Sequence, residues 1–214
     1  MSWIQRHALL ILLRSKSARI KDLTPSDVAA NAFSYHMGGL VTAGLVEKTA
    51  RGTYSLTSKG EILAGSYSTE TGSLVKEIKT VIMFYGKKDD RYLLFRWSRQ
   101  PYLNRVTLPY DRLPFGQSLN DGIDKAMRDK LGAQFDATYK TNVIVKIQHR
   151  ETIVSHMNAL VYEVDVNKIS LPFKSRNGEL ILGQVGSEDG MDGMNELIQA
   201  IETTAHPSET QLSY

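Results

Sequence analysis

Cysteine is absent from the 214 residues. Disulfides, thiolate metal sites and a cysteine nucleophile are thereby excluded. Long apolar runs are also missing. The longest near the start, Ala8 to Leu13, falls far short of the ~20 residues that a membrane-spanning helix needs. It runs straight into Arg14, Lys16 and Arg19 with no small-residue cleavage site, so it reads as the core face of a first helix in a cytoplasmic protein with no membrane partner. No nucleophile elbow, glycine-rich phosphate loop or dinucleotide fingerprint occurs, and no internal repeat. What remains is ordinary for a globular chain: 42% hydrophobic and 23% charged residues, enough for one large or two small cores.

The charge is unevenly spread. Residues 1–68 hold eight Lys/Arg and four Asp/Glu, whereas the remainder holds 18 and 19. The basic excess therefore lies in the N-terminal third, which points to an anionic partner there. A stretch rich in Gly, Ser and Thr, "GSYSTETGSLVKE" (65–77), marks a boundary. The pattern predicts a first domain over 1–68, a linker over 69–76, a second domain over 77–206 and a flexible tail over 207–214. Helical spacing from Trp3 to Arg14 outlines a first helix. Past the linker, "TVIMFYG" (80–86) and "RYLLFRW" (91–97) read as strands around a "KKDD" hairpin turn. "TNVIVKIQHR" and "SHMNALVYEVDV" form a second strand pair turning near Glu151-Thr152, and residues 191–204 a closing helix. The fold class is α+β.

Within the first domain, Asn31 to Thr42 predicts a helix ended by Gly44. Leu45-Val46 begins a strand, "TYSL" returns, and Thr57 caps a further helix. "FSYHMGGLVTAGLVEK" followed by "GTYSLTSKG" resembles the recognition helix and wing of arsenic-repressor-type and multiple-antibiotic-resistance-type winged helix-turn-helix regulators. The resemblance covers about residues 3–66. It implies a helix entering a DNA major groove, with Asn31, Ser34 and Tyr35 at base edges or phosphates and Lys48, Arg51 and Lys59 on phosphates. His36 either joins that contact set or packs inward. Tyr54 and Leu56 read as wing core. Pro25 requires the supporting helix before the recognition helix to be short or displaced.

In the second domain "VTLPYDRLPFGQSLNDGIDKAMRDKLGA" resembles the Nudix hydrolases. In that family Leu-Pro-Gly-Gly and Gly-Glu-Ser lead into a helix bearing Arg-Glu-hydrophobic-x-Glu-Glu and a closing Gly. Leu108-Pro109, Gly116-Gln117-Ser118 and Gly132 keep the register without a gap. The resemblance covers about residues 77–204 and implies an α/β/α sandwich with a mixed sheet. It also implies Mg²⁺-dependent phosphoanhydride cleavage through helix glutamates. The residues for that chemistry are mostly replaced. The two glycines are Tyr110 and Asp111 and the loop glutamate is Gln117; on the helix Lys125 stands for the arginine, Ala126 for the glutamate after it, and Asp129 and Lys130 for the final glutamate pair. Mg²⁺ demands hard oxygen ligands in near-octahedral array, and only Asp129 supplies one. Asp121 and Asp124 are helix neighbours, but Asp129 lies about 140° round from Asp124, so the three do not converge.

Jointly the motifs suggest a transcriptional regulator, dimeric because one winged helix reads a half-site. Its degenerate Nudix-like domain would serve as sensor or dimerisation platform, in a domain order reversed from Nudix-related regulators. Expected partners are DNA, a nucleotide or phosphorylated metabolite, and a second copy of the chain. Arg96, Arg99, Arg105, Lys125, Asp129 and Lys130 form the candidate ligand set, fixed cations replacing a metal, or they are solvated surface. No catalytic residue, metal site or cofactor is expected; if the domain is active, Asp129 and Mg²⁺ carry the reaction. The alternatives are a Nudix-type nucleoside-diphosphate hydrolase with an accessory winged-helix domain, and a protein-interaction scaffold.

Overall fold

Ser2 starts the first helix. Its side chain accepts a hydrogen bond from the Gln5 amide at 3.2 Å, and the Gln5 side chain accepts from the Ser2 amide at 3.1 Å. This reciprocal box satisfies two orphan donors and begins α1, Trp3–Leu13. The computed structural model describes residues 1–75, 77–186, 190–203 and 208–214. The chain divides into two compact units, Met1–Lys76 and Glu77–Tyr214.

In the first unit α1 is followed by β1 (Ala18–Arg19), α2 (Ile20–Leu23) and α3 (Ala30–Thr42). β2 (Val46–Ala50), β3 (Thr53–Leu56) and α4 (Ser58–Gly65) complete it. The strands form an antiparallel sheet in the order β1-β3-β2. α2 has only four residues and ends before Thr24-Pro25, because proline disfavours helix at the residue before it. The helix predicted from Asn31 begins one residue earlier, and Gly44 follows it at φ 66. Thr57 accepts from the Gly60 amide at 3.1 Å and starts α4. A Cβ at Gly60 would lie 1.9 Å from the Leu45 carbonyl oxygen, so the close crossing of α4 over the start of β2 requires glycine. Leu9, Leu23, Phe33 and Ala64 are wholly buried in this core, and Tyr54 and Leu56 pack half-buried against it.

The second unit begins with β4 (Lys79–Tyr85), β5 (Lys87–Lys88), β6 (Arg91–Trp97), β7 (Val106–Thr107) and β8 (Tyr110–Arg112). After α5 (Leu119–Leu131) come β9 (Thr138–His149) and β10 (Thr152–Glu163). β11 (Phe173–Ser175), β12 (Gly178–Gly183), α6 (Met194–Thr203) and β13 (Ser208–Ser213) close the chain. One sheet runs β13-β9-β10-β4-β8 and is mixed: β13 lies parallel to β9 and β10 parallel to β4, while β9–β10 and β4–β8 are antiparallel. The other runs β11-β12-β6-β5, with β7 on β6, and is antiparallel. The unit is thus mixed α/β with a mixed sheet. Ile82, Phe84, Leu93, Phe95, Val145, Ala159 and Leu197 are wholly buried in its core.

Two expectations change here. β4 and β6 do not pair as a hairpin; only the two residues of β5 turn back on β6, and β4 lies in the other sheet. Both strands are buried on two faces for most of their length, and such continuous apolar runs carry no alternation to show which partner they meet. The end of the chain is not a frayed tail, since 208–213 forms β13. Thr210 and Leu212 face the core while Glu209 and Gln211 face outward, and the backbone hydrogen bonds go to β9. Of the helix expected over 191–204, Met194 to Thr203 is helical; Thr204 lies outside the described residues.

Candidate functional site

The loop and helix outlined by the sequence spacing are formed as expected. Ser118 is the N-cap of α5, accepting from the Asp121 amide at 3.2 Å and donating to the Asp121 carboxylate at 2.6 Å. Gly132 ends the helix in the left-handed region at φ 74, where its amide donates to the Met127 carbonyl at 3.1 Å. Such a helix end strongly favours glycine. A Cβ there would also meet the Phe173 ring at 2.5 Å.

Three charged side chains meet on the outer face of α5. The Lys125 ammonium donates to Asp129 Oδ2 at 2.7 Å, one helical turn on, and to Asp111 Oδ2 at 3.3 Å, across on β8. The Asp129 hydrogen bond leads in raising the Lys125 pKa above the ordinary lysine value. Gln117 is exposed, Ala126 is buried, and Asp124 points to solvent.

Lys130 lies on the inner side of α5. Its side chain is 1% exposed, with the ammonium 4.6 Å from the Phe95 ring centre and 4.5 Å from that of Trp97. Among the described residues it makes no hydrogen bond. Burial lowers the pKa of its amine, against the opposing pull of Asp111. The rings form a cluster: Phe95 with Trp97 at 5.0 Å and Trp97 with Tyr102 at 5.8 Å meet edge to face, and Trp97 with Tyr110 at 5.1 Å is tilted. Trp97 Nε1 donates to Thr107 Oγ1 at 2.9 Å, which holds the indole in place. Burial raises the Tyr110 hydroxyl pKa well above its ordinary value.

Beside this cluster lies a cavity of about 370 Å³, walled by Trp97, Arg99, Tyr102, Tyr110, Asp111 and Arg112. Its volume falls within the roughly 300–1,000 Å³ common for small-ligand sites. The guanidinium groups of Arg99 and Arg112 are exposed there and can pair with a phosphate.

The six expected ligand residues do not share one cavity. Arg99 lines the cavity just described. Arg96 lines a separate depression of about 260 Å³ with Ser98, Asn104 and Lys174. Arg105 lies over the Tyr214 ring at 5.7 Å. Lys125 and Asp129 engage each other, and Lys130 is buried on the rings. Sequence reasoning missed Tyr102, Tyr110, Asp111 and Arg112 as site residues. Asp111 stood in the motif only as a lost glycine, and no spacing rule announces that β8 brings it to Lys125.

The residues do not fit Mg²⁺. Among the described residues no group of three or more His, Asp or Glu side chains could hold a metal. The two carboxylates that converge already hold an ammonium, and Asp121 is bonded to Ser118.

On the first unit, Asn31, Ser34, Tyr35, Lys48 and Arg51 are exposed. His36 is half-buried, with Nδ1 3.4 Å from Ser2 Oγ. Lys59 donates to the Ala43 carbonyl at 2.9 Å, at the end of α3. Among the described residues no helix is long and apolar enough to cross a membrane.

No family model and no curated protein matches the chain. Solved structures similar to it include a Nudix hydrolase from Nitrosomonas europaea, 12% identical, covering 68% of this chain and 86% of that one, TM-score 0.45. A MutT protein from Bacillus halodurans is 15% identical over 64% and 90%, TM-score 0.46. A bifunctional NMN adenylyltransferase/ADP ribose pyrophosphatase from Francisella tularensis is 9% identical over 81% and 52%, TM-score 0.47. At such identities and TM-scores the likeness assigns no activity to this chain. The expectation of a DNA-binding transcriptional regulator is corrected: the similar solved structures are Nudix hydrolases rather than regulators. Lys59, one of the three expected phosphate contacts, donates to the end of α3.

Proposed function

We propose that this chain is a Nudix-type protein whose C-terminal unit takes a nucleoside-diphosphate compound, with the first unit as an accessory winged-helix domain. The observation that carries the reading is the cavity of Trp97, Tyr102 and Tyr110 with Arg99 and Arg112 at its wall. It offers exposed guanidinium groups for phosphate oxygens beside an apolar wall of largely buried rings. The ungapped spacing of Leu108-Pro109, Gly116-Gln117-Ser118 and Gly132 supports the Nudix-type assignment. For the first unit, support comes from the order of helices, two-stranded hairpin and further helix around one small antiparallel sheet.

Titration calorimetry with adenosine diphosphate tests the reading. Binding at one site is expected, weakened by Arg99→Ala. Absence of heat with purine and pyrimidine diphosphates alike would refute it. Hydrolysis is the second reading, favoured because Asp129 keeps a carboxylate at a motif position. A turnover screen against nucleoside diphosphate derivatives decides it: Mg²⁺-dependent release of nucleoside monophosphate, lost on Asp129→Ala, would establish an enzyme.

A further inference from the structure

The carboxylates of Asp111 and Asp129 come from different elements, the strand β8 and the helix α5, yet they meet at one atom. Lys125 Nζ stands 3.3 Å from Asp111 Oδ2 and 2.7 Å from Asp129 Oδ2. A point where two anionic oxygens converge is a place for a cation, and here the cation is part of the chain. We propose that the Lys125 ammonium holds the two carboxylates that a divalent ion would need, and that the site takes its phosphate ligand without a divalent metal. The ligand in this statement rests on the function proposed above; the exchange of metal for ammonium stands without it.

Charge balance carries the argument further. Lys125 and Lys130 together offset Asp111 and Asp129. That leaves Lys79, Arg99 and Arg112 at the cavity wall, none in an ion pair with another described residue, as the positive charge available to phosphate. A divalent ion entering the clasp would displace Lys125 and meet two ammonium groups of its own sign. The electrostatics thus favour the anionic ligand and oppose the metal.

The test uses the full chain and Mn²⁺ alone, read by electron paramagnetic resonance of the free ion. The wild-type chain is expected to leave Mn²⁺ free. Lys125→Glu, which puts a third carboxylate at the clasp, is expected to bind one Mn²⁺ per chain at least about tenfold more tightly than wild type. Asp129→Asn in that background should abolish the gain. Wild-type binding as tight as that of Lys125→Glu would overturn the proposal, as would a folded Lys125→Glu chain that takes up no Mn²⁺. If Lys125→Glu does not fold, Lys125→Ala replaces it with the same two outcomes. Adenosine diphosphate affinity should also be equal in chelator and in millimolar Mg²⁺, and a clear rise with Mg²⁺ would overturn the proposal. Failure of the diphosphate to bind, with the Mn²⁺ results as expected, sinks the ligand reading and leaves the cation exchange intact.

Discussion

Replacing Lys130 by methionine removes an ammonium from the interior while keeping a straight side chain of similar length. Two opposing effects set the outcome. The ammonium stands 4.6 and 4.5 Å from the Phe95 and Trp97 ring centres, and a desolvated cation–π contact contributes about 2 kcal/mol. Against this, burying an ion costs several kcal/mol after relaxation, and at 1% exposure Lys130 has no hydrogen bond among the described residues to offset it. The balance favours methionine by about 1–2 kcal/mol near neutral pH. That would raise the melting temperature of a unit of this size by roughly 3–6 °C. The sign of the pH dependence follows from burial, which lowers the amine's pKa in the folded chain. Between that lowered pKa and the ordinary lysine value the unfolded chain binds the proton and the folded chain does not, so wild-type stability rises with pH across this window. The advantage of Lys130→Met should therefore shrink as the solution becomes alkaline. Urea unfolding of both chains at a series of pH values measures it. A variant less stable than wild type by about 1 kcal/mol or more, or a pH-independent difference, would refute the reasoning.

Ser118→Ala removes the N-cap of α5 and should cost about 1 kcal/mol in the same unfolding measurement. Gly132→Ala forces a Cβ into the left-handed helix end and against the Phe173 ring; a loss of about 2 kcal/mol or more is expected, seen as a lowered urea midpoint. Arg99→Ala should weaken adenosine diphosphate binding by about tenfold, the worth of one charge-assisted contact, with the urea midpoint unchanged.

Much of α5 is legible in the sequence. Ser118 is a good helix cap and Gly132 a good helix stop, and both act through backbone hydrogen bonds a few residues away. The strand pair β9–β10 is equally plain, because its buried and half-buried residues alternate. The site is less so. Arg96 and Arg99 are close in sequence but line different depressions. Lys130, whose charge suggests a cation facing a ligand, turns inward onto the rings of β6.

The sequence by itself determined the local elements, their caps and the replacement of the motif's metal-binding carboxylates, since propensity, capping and side-chain chemistry act at short range. Only the tertiary structure decided which strands share a sheet, that the last residues add a strand beside β9, and that Asp111 crosses to Lys125. Those outcomes depend on which buried faces fill one another and on contacts between residues far apart in the chain. No periodicity within a single element records them.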